Sequence, residues 1–286
     1  MISQEILAKI KGLEIKVRRL LQGSGVGDFT TAQKGSGFEF NQLRDYQEGD
    51  DIRFIDWKSS AKMNKLIVRQ YLEERNRIIW LVLDVSESLW YGSGSFLKQE
   101  ILAQAAAVIA LVAEYGKDSI GLIFFAAEAS VVLPPKRGRM HSKKLIEKIF
   151  TASAQAGLTS FENLIAKLNV CVKKKSIIII LSDFIGLEDI WLKKLKALTI
   201  RHECIALCVR DEREIELPEG VVLDLEDPET GERLTVSTTD SNKKLPMLSK
   251  EEHSRLKQCN MSLLNLSMQK NSIDDLVLFF KHQMMY

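Results

Sequence analysis

The chain has 286 residues, 45% of them hydrophobic and 27% charged, which is enough apolar material for a sizeable core and enough charge for a soluble surface. Lys and Arg number 40 against 38 for Asp and Glu, a net charge of +2, which excludes the one-sided positive footprint of a nucleic-acid binder. The longest apolar stretch, Ala105–Ala113, falls far short of the ~20 residues that span a membrane.

In chain order, the first element is a helix over 3–21, with Ile6, Leu7, Ile10, Leu13, Val17, Leu20 and Leu21 at helical spacing and Gly23 stopping it. Its charged, amphipathic character is unlike a secretory leader, so the expected location is cytoplasmic. Residues 23–37 are rich in Gly, Ser and Thr and read as a loop. Residues 38–75 interleave charge with aromatics: Arg44, Asp45, Asp50, Asp51, Arg53 and Asp56 alternate with Tyr46, Ile52, Phe54, Ile55 and Trp57. Such a mixture suits a bracing arm pinned by charge-assisted hydrogen bonds, its aromatics burying area. Glu48-Gly49-Asp50-Asp51 within it is a turn by composition.

Strands are expected at 66–73 and 77–83, then an alanine-rich helix over 95–115, strand 119–126, and a short strand 129–133 ended by Pro134-Pro135. Helices 140–151 and 161–172, strand 176–182, helix 187–200 and strand 203–209 follow. A hairpin flanks the turn at 227–231, with arms at 221–225 and 233–236; a helix at 249–258, a strand at 261–266 and a helix at 273–283 close the chain. Strands alternating with helices imply right-handed crossovers and a doubly wound, mostly parallel α/β sheet. Residues 1–75 then form an N-terminal helix, loop and arm, and 76–286 the principal domain.

The stretch Ile78-Ile79-Trp80-Leu81-Val82-Leu83-Asp84-Val85-Ser86-Glu87-Ser88 carries the chemistry. It is an apolar strand that gives way to a carboxylate and two hydroxyls at alternate positions. Ligands of open α/β sheets bind beyond the carboxyl ends of the strands, and three oxygens there suit a hard cation such as Mg2+. About six oxygens are needed, so other loops must contribute. Strand 176–182 also stops on a carboxylate, Asp183, and Gly157-Leu158-Thr159-Ser160 precedes a helix, where its hydroxyls can cap that helix or reach a cation.

Enzyme chemistry finds less support. An aspartyl-phosphate enzyme also places an Asp at a strand end beside Mg2+, but it wants a second acidic residue two positions on, where this chain has Ser86. The four histidines, His141, His202, His253 and His282, lie in helical or helix-edge stretches away from the strand-end loops. Gly92-Ser93-Gly94-Ser95 has the wrong spacing for a nucleophile elbow, and neither Gly23-Ser24-Gly25 nor Gly35-Ser36-Gly37 sits between a strand and a helix as a nucleotide loop would. Cys171, Cys204, Cys208 and Cys259 lack metal-finger spacing and read as reduced core thiols. The basic clusters at Lys136–Arg139, Lys143-Lys144 and Lys173–Lys175 read as solvated charge.

Asp84-x-Ser86-x-Ser88, then Thr159, then Asp183 resembles the metal-ion-dependent adhesion site of von Willebrand factor A-type domains. That resemblance implies Mg2+ or Mn2+ held by Ser86, Ser88 and Thr159, with Asp84 and Asp183 acting through bound water and one position open to a partner's carboxylate. The segments Gly35–Phe40 and Leu43–Ala61 resemble bacterial domain-of-unknown-function family fifty-eight, whose members carry an A-type domain and are commonly encoded beside MoxR-type AAA+ ATPases. The likeness is close over roughly 35–88 and one of pattern beyond. Ser160 stands where an acidic residue is expected after the threonine, which touches only an outer contact. The resemblance thus implies a metal-dependent protein-interaction adaptor for a MoxR-type ATPase and its clients; the alternative is a Mg-dependent phosphoryl-transfer or phosphatase-like enzyme using Asp84.

Overall fold

Strands apolar on both faces need helices on both, and the chain supplies them. The computed structural model describes residues 4–23, 39–72, 77–185, 187, 189–211, 222–226, 231, 233–237, 254–266, 268 and 273–285. The elements are α1 (Gln4–Gly23), β1 (Glu39–Asp45), α2 (Trp57–Met63), β2 (Ile67–Leu72), β3 (Ile78–Asp84), α3 (Lys98–Tyr115), β4 (Ser119–Phe125), β5 (Ala129–Lys136), α4 (Arg139–Phe150), α5 (Phe161–Cys171), β6 (Ile177–Ser182), α6 (Asp189–Arg201), β7 (Glu203–Val209), β8 (Val222–Glu226), β9 (Arg233–Ser237), β10 (Ser262–Leu266) and α7 (Ile273–Met285). The expected loop at 24–37, the start of the helix at 249–258, the turn residues 227–230 and His253 lie outside the described residues.

The main sheet has the order β10-β7-β6-β3-β4-β5, parallel throughout except for the antiparallel edge strand β5. Side chains alternate between its faces. Odd-numbered Ile79, Leu81, Leu83, Ile177, Ile179 and Leu181 join the core under α1, α3, α4 and α7. Even-numbered Trp80, Val82, Ile178 and Ile180 join the core under α5 and α6. Each fully buried Leu or Ile contributes about 1.5–3 kcal/mol. The chain passes from β3 to β4 on one side and later returns to β6 on the other. The switch point between β3 and β6 opens the crevice where such sheets bind ligands.

Helix α1 places Leu13 and Val17 in the odd-face core, so the N-terminal segment contributes to the main fold. The arm is a β1–β2 antiparallel ribbon plus a 3-10 turn at Ile52–Phe54 and α2, neither of which the sequence pattern announces. Gly49 takes the expected turn with φ of 101°. The arm's ion pairs join arm residues to one another: Arg44 to Asp50, Arg53 to Asp51, Lys65 to Asp45 and Arg69 to Asp56. Its buried Ile55, Ile67 and Val68 belong to neither main core. Trp57 does not bury area as expected. Asp56 caps α2 through Ser59 N–H, and Trp57, the first helical residue, is 67% exposed.

Two boundaries differ in ways that matter. Strand β5 runs on through Pro134 and Pro135 to Lys136. The prolines lie in a bulge: Leu122 pairs with Leu133 and Ile120 with Lys136, so both prolines oppose Gly121 alone. A Cβ on Gly121 would meet the Pro135 ring at 3.0 Å. A proline lacks the N–H of a regular ladder, and an edge bulge is where a strand tolerates it. Helix α3 begins at Lys98 rather than 95, because the preceding loop doubles back: Lys98 N–H donates to Tyr91 O at 3.0 Å, and a Cβ on Gly92 would collide with the Phe96 carbonyl.

Candidate functional site

Asp84 ends β3 on the even face, and Ser182 ends β6 on the same face, so the two meet across the switch point. Ser182 Oγ donates to Asp84 Oδ2 at 2.6 Å, and Ser86 N–H donates to Asp84 Oδ1 at 2.9 Å. Ser86 occupies the N-cap position of the 3-10 turn Glu87–Trp90 yet makes no side-chain cap bond. Its hydroxyl lies 3.1 Å from that of Ser88 instead. The loop with Thr159 runs alongside: Gln155 N–H donates to Val85 O and Ser160 N–H to Ala126 O, both at 2.9 Å, and Ser86 pairs with Gln155. Ser160, not Thr159, caps α5 by accepting from Asn163 N–H at 3.2 Å. The structure thus brings Asp84, Ser86, Ser88 and Asp183 to one edge and lays the Thr159 loop beside them.

Asp183 continues the odd register toward the layer that holds α3. There it meets a residue the sequence reading passed over: Lys98 Nζ donates to Asp183 Oδ2 at 2.9 Å, with side-chain exposures of 0% and 4%. A cation in the first turn of a helix is opposed by the helix dipole, so a lysine there signals a carboxylate partner. Ile185 N–H donates to Asp183 Oδ1 at 3.2 Å, and Arg210 Nη2 donates to its main-chain oxygen at 3.0 Å. Phe184 then adopts φ of 56°, an uncommon conformation for a bulky residue. Packing holds it: Phe184 stacks on Phe161, which packs on Phe125, and Phe184 N–H donates to Ser182 Oγ at 3.0 Å. Asp211 clamps the doubled-back loop, accepting from Ser93 N–H at 2.6 Å and Ser93 Oγ at 2.5 Å.

Burial and then the negative charge of Asp183 push the Asp84 carboxyl up to about 7, although hydrogen bonds from Ser182 and Ser86 act the other way. A carboxylate this strained by burial is one that a cation would relieve. Oxygen-only donors, two of them hydroxyls 3.1 Å apart, fit a hard divalent ion. Ser86, Ser88 and Thr159 would hold it, and Asp84 and Asp183 would orient its waters. The cysteines take no part. Burial pushes Cys204 up to about 12 and Cys208 up to about 11, which leaves both as inert thiols.

Residues 42–255 match the family model described as "Protein of unknown function DUF58". The chain belongs to that family. This DUF58 chain is 32% identical over 229 residues to an uncharacterised protein of Mycobacterium tuberculosis, spanning 79% of this chain and 72% of the relative. It is 25% identical over 114 residues to the uncharacterised protein YeaD of Bacillus subtilis, spanning 40% and 26%. Among solved structures, BatB from Bacteroides thetaiotaomicron is similar in fold, with a TM-score of 0.50 and 13% identity over 73% of this chain and 98% of that one. The SpRpn10 VWA domain is similar at a TM-score of 0.45 and 12% identity, over 71% and 94%. With BatB the chain shares its fold alone, which here is a mostly parallel six-stranded sheet between two helical layers.

The same edge of the DUF58 chain carries a second feature. Trp90, Tyr91, Phe96, Leu158 and Ile185 are all exposed, and they come from the β3–α3, β6–α6 and pre-α5 segments that also supply the oxygens; Ile190, in the first turn of α6, is exposed as well. Among the described residues, no helix is long and apolar enough to cross a membrane.

Proposed function

We propose that the carboxyl edge of the sheet is a docking face that takes a partner's carboxylate through a divalent cation, Mg2+ or Mn2+, and that the chain acts in the cytoplasm as an adaptor for a MoxR-type AAA+ ATPase and its clients. The observation that carries the reading is the gathering of Ser86, Ser88 and Asp84 at one edge with Asp183, itself paired with Lys98, on segments that also expose aromatic and aliphatic side chains. The family resemblance supplies the partner class. The 286 residues hold no Gly-x-x-x-x-Gly-Lys phosphate loop, so ATP-driven work falls to the partner. Titration of chelator-treated protein with Mn2+ should show binding that disappears in Asp84→Ala and Ser86→Ala, and retention of the ATPase in a pulldown should be lost with chelator or in Thr159→Ala. Undiminished metal binding in both variants, or a partner indifferent to chelator, overturns the reading.

The runner-up makes Asp84 a phosphorylated nucleophile. Asp84 is 1% exposed, and each of its oxygens already accepts a hydrogen bond, which favours the binding reading over phosphoryl transfer. Incubation with a phospho-donor and Mg2+ should yield no hydroxylamine-labile adduct on Asp84. Finding one would reverse the preference.

A further inference from the structure

Lys98 is the only buried lysine among the described residues. Its placement is unfavourable twice over, because the ammonium has left water and stands at the positive end of α3. What holds it is Asp183, and Asp183 is held in turn by Lys98 on one oxygen, Ile185 N–H on the other and Arg210 on the main chain. The two carboxylates at the edge therefore differ. Asp183 has a counter-charge in contact, whereas Asp84 receives only the neutral donors Ser182 Oγ and Ser86 N–H.

We propose that Lys98 is a resident counter-cation that sets the affinity of this edge for divalent ions: it neutralises Asp183, keeps the metal-free edge folded, and confines metal capture to weak, exchangeable binding. The proposal rests on the metal reading of the site. With Lys98 in place, an arriving ion meets one uncompensated carboxylate and a fixed positive charge in a poorly screened setting. A partner's carboxylate restores the missing negative charge, so metal and partner each strengthen the binding of the other, as linkage requires.

The test uses the full chain, freed of metal by chelator, with Mn2+ alone as the probe and free Mn2+ read by electron paramagnetic resonance. Lys98→Met keeps the unbranched stem, one atom shorter, and removes its charge. It should bind Mn2+ about tenfold more tightly than the wild type, or better, the scale of one nearby unit charge in a partly buried site. Without metal it should melt at a lower temperature than the wild type, and Mn2+ should restore the difference. Should Lys98→Met not fold, Lys98→Gln carries the test, since its amide can still donate to Asp183 while the charge is gone. It too should bind Mn2+ about tenfold more tightly than the wild type, and unchanged affinity in folded Lys98→Gln overturns the proposal. If the wild type binds Mn2+ and folded Lys98→Met binds it no more tightly, the role of Lys98 falls and the metal site stands. If neither the wild type nor any variant binds Mn2+, the metal reading itself fails and takes the proposal with it.

Discussion

The β1–β2 arm and the carboxyl edge of the sheet both gather carboxylates and cations, and they use them in opposite ways. In the arm the partners lie no more than 20 positions apart, at or near the surface; Arg53, for example, reaches Asp51 two residues away with its side chain 82% exposed. At the edge, Lys98 crosses 85 positions to meet Asp183 out of contact with water. The arm has the greater density of charge, but solvent screens much of it. The edge has few charges, and they meet where water screens them little. Burial, more than the number of charged residues, separates a brace from a site.

That contrast is easiest to break at its strongest point. Asp183→Ala leaves the Lys98 ammonium buried without its counter-charge and should cost about 3–5 kcal/mol in denaturant unfolding; a loss no larger than that of an arm variant would erase the distinction. In the arm, the largest effect should come from Arg44, whose guanidinium grips Asp50 with bonds of 2.6 and 2.7 Å. Arg44→Ala should cost about 1 kcal/mol after allowance for solvent.

A third case sharpens the comparison: a buried polar group with neither arrangement. His202 is buried, and burial first, then the charge of Arg201, lowers its pKa. The unfolded chain therefore binds the proton more readily than the folded one. The stability in question is fully present above the ordinary histidine value of about 6.5 and is lost as the pH falls below it toward the folded value. His202→Gln should flatten that acid limb in thermal melts relative to the wild type, and an unchanged pH profile would show that His202 does not titrate on unfolding. Smallest of all, Arg53→Ala should leave the unfolding midpoint where it is, since its pair with Asp51 stands in water.

Most of the sheet was legible from its apolar runs, because a strand buried on both faces has nowhere to place a polar residue until it ends. The same logic found Asp84 and Asp183. It did not find Lys98, which begins an otherwise apolar helix as an ordinary charged residue would; only the mismatch with the helix dipole marked it. Nor did it find β1 or α2, whose residues are charged and half exposed and so carry no periodicity to read. The prolines of β5 misled for a related reason. Proline reports that a ladder bond is missing, and cannot say whether the strand stops or bulges.

Those prolines also limit how a partner can approach. A sheet with an open edge invites another chain to align alongside it and extend the ladder, a common route both to peptide capture and to aggregation. At β5 the invitation is withdrawn, because Pro134 and Pro135 offer no N–H to an incoming backbone and the bulge twists the strand away from a flat template. Growth of the sheet on that side is blocked, which leaves recognition of a partner there to side chains rather than to main-chain pairing.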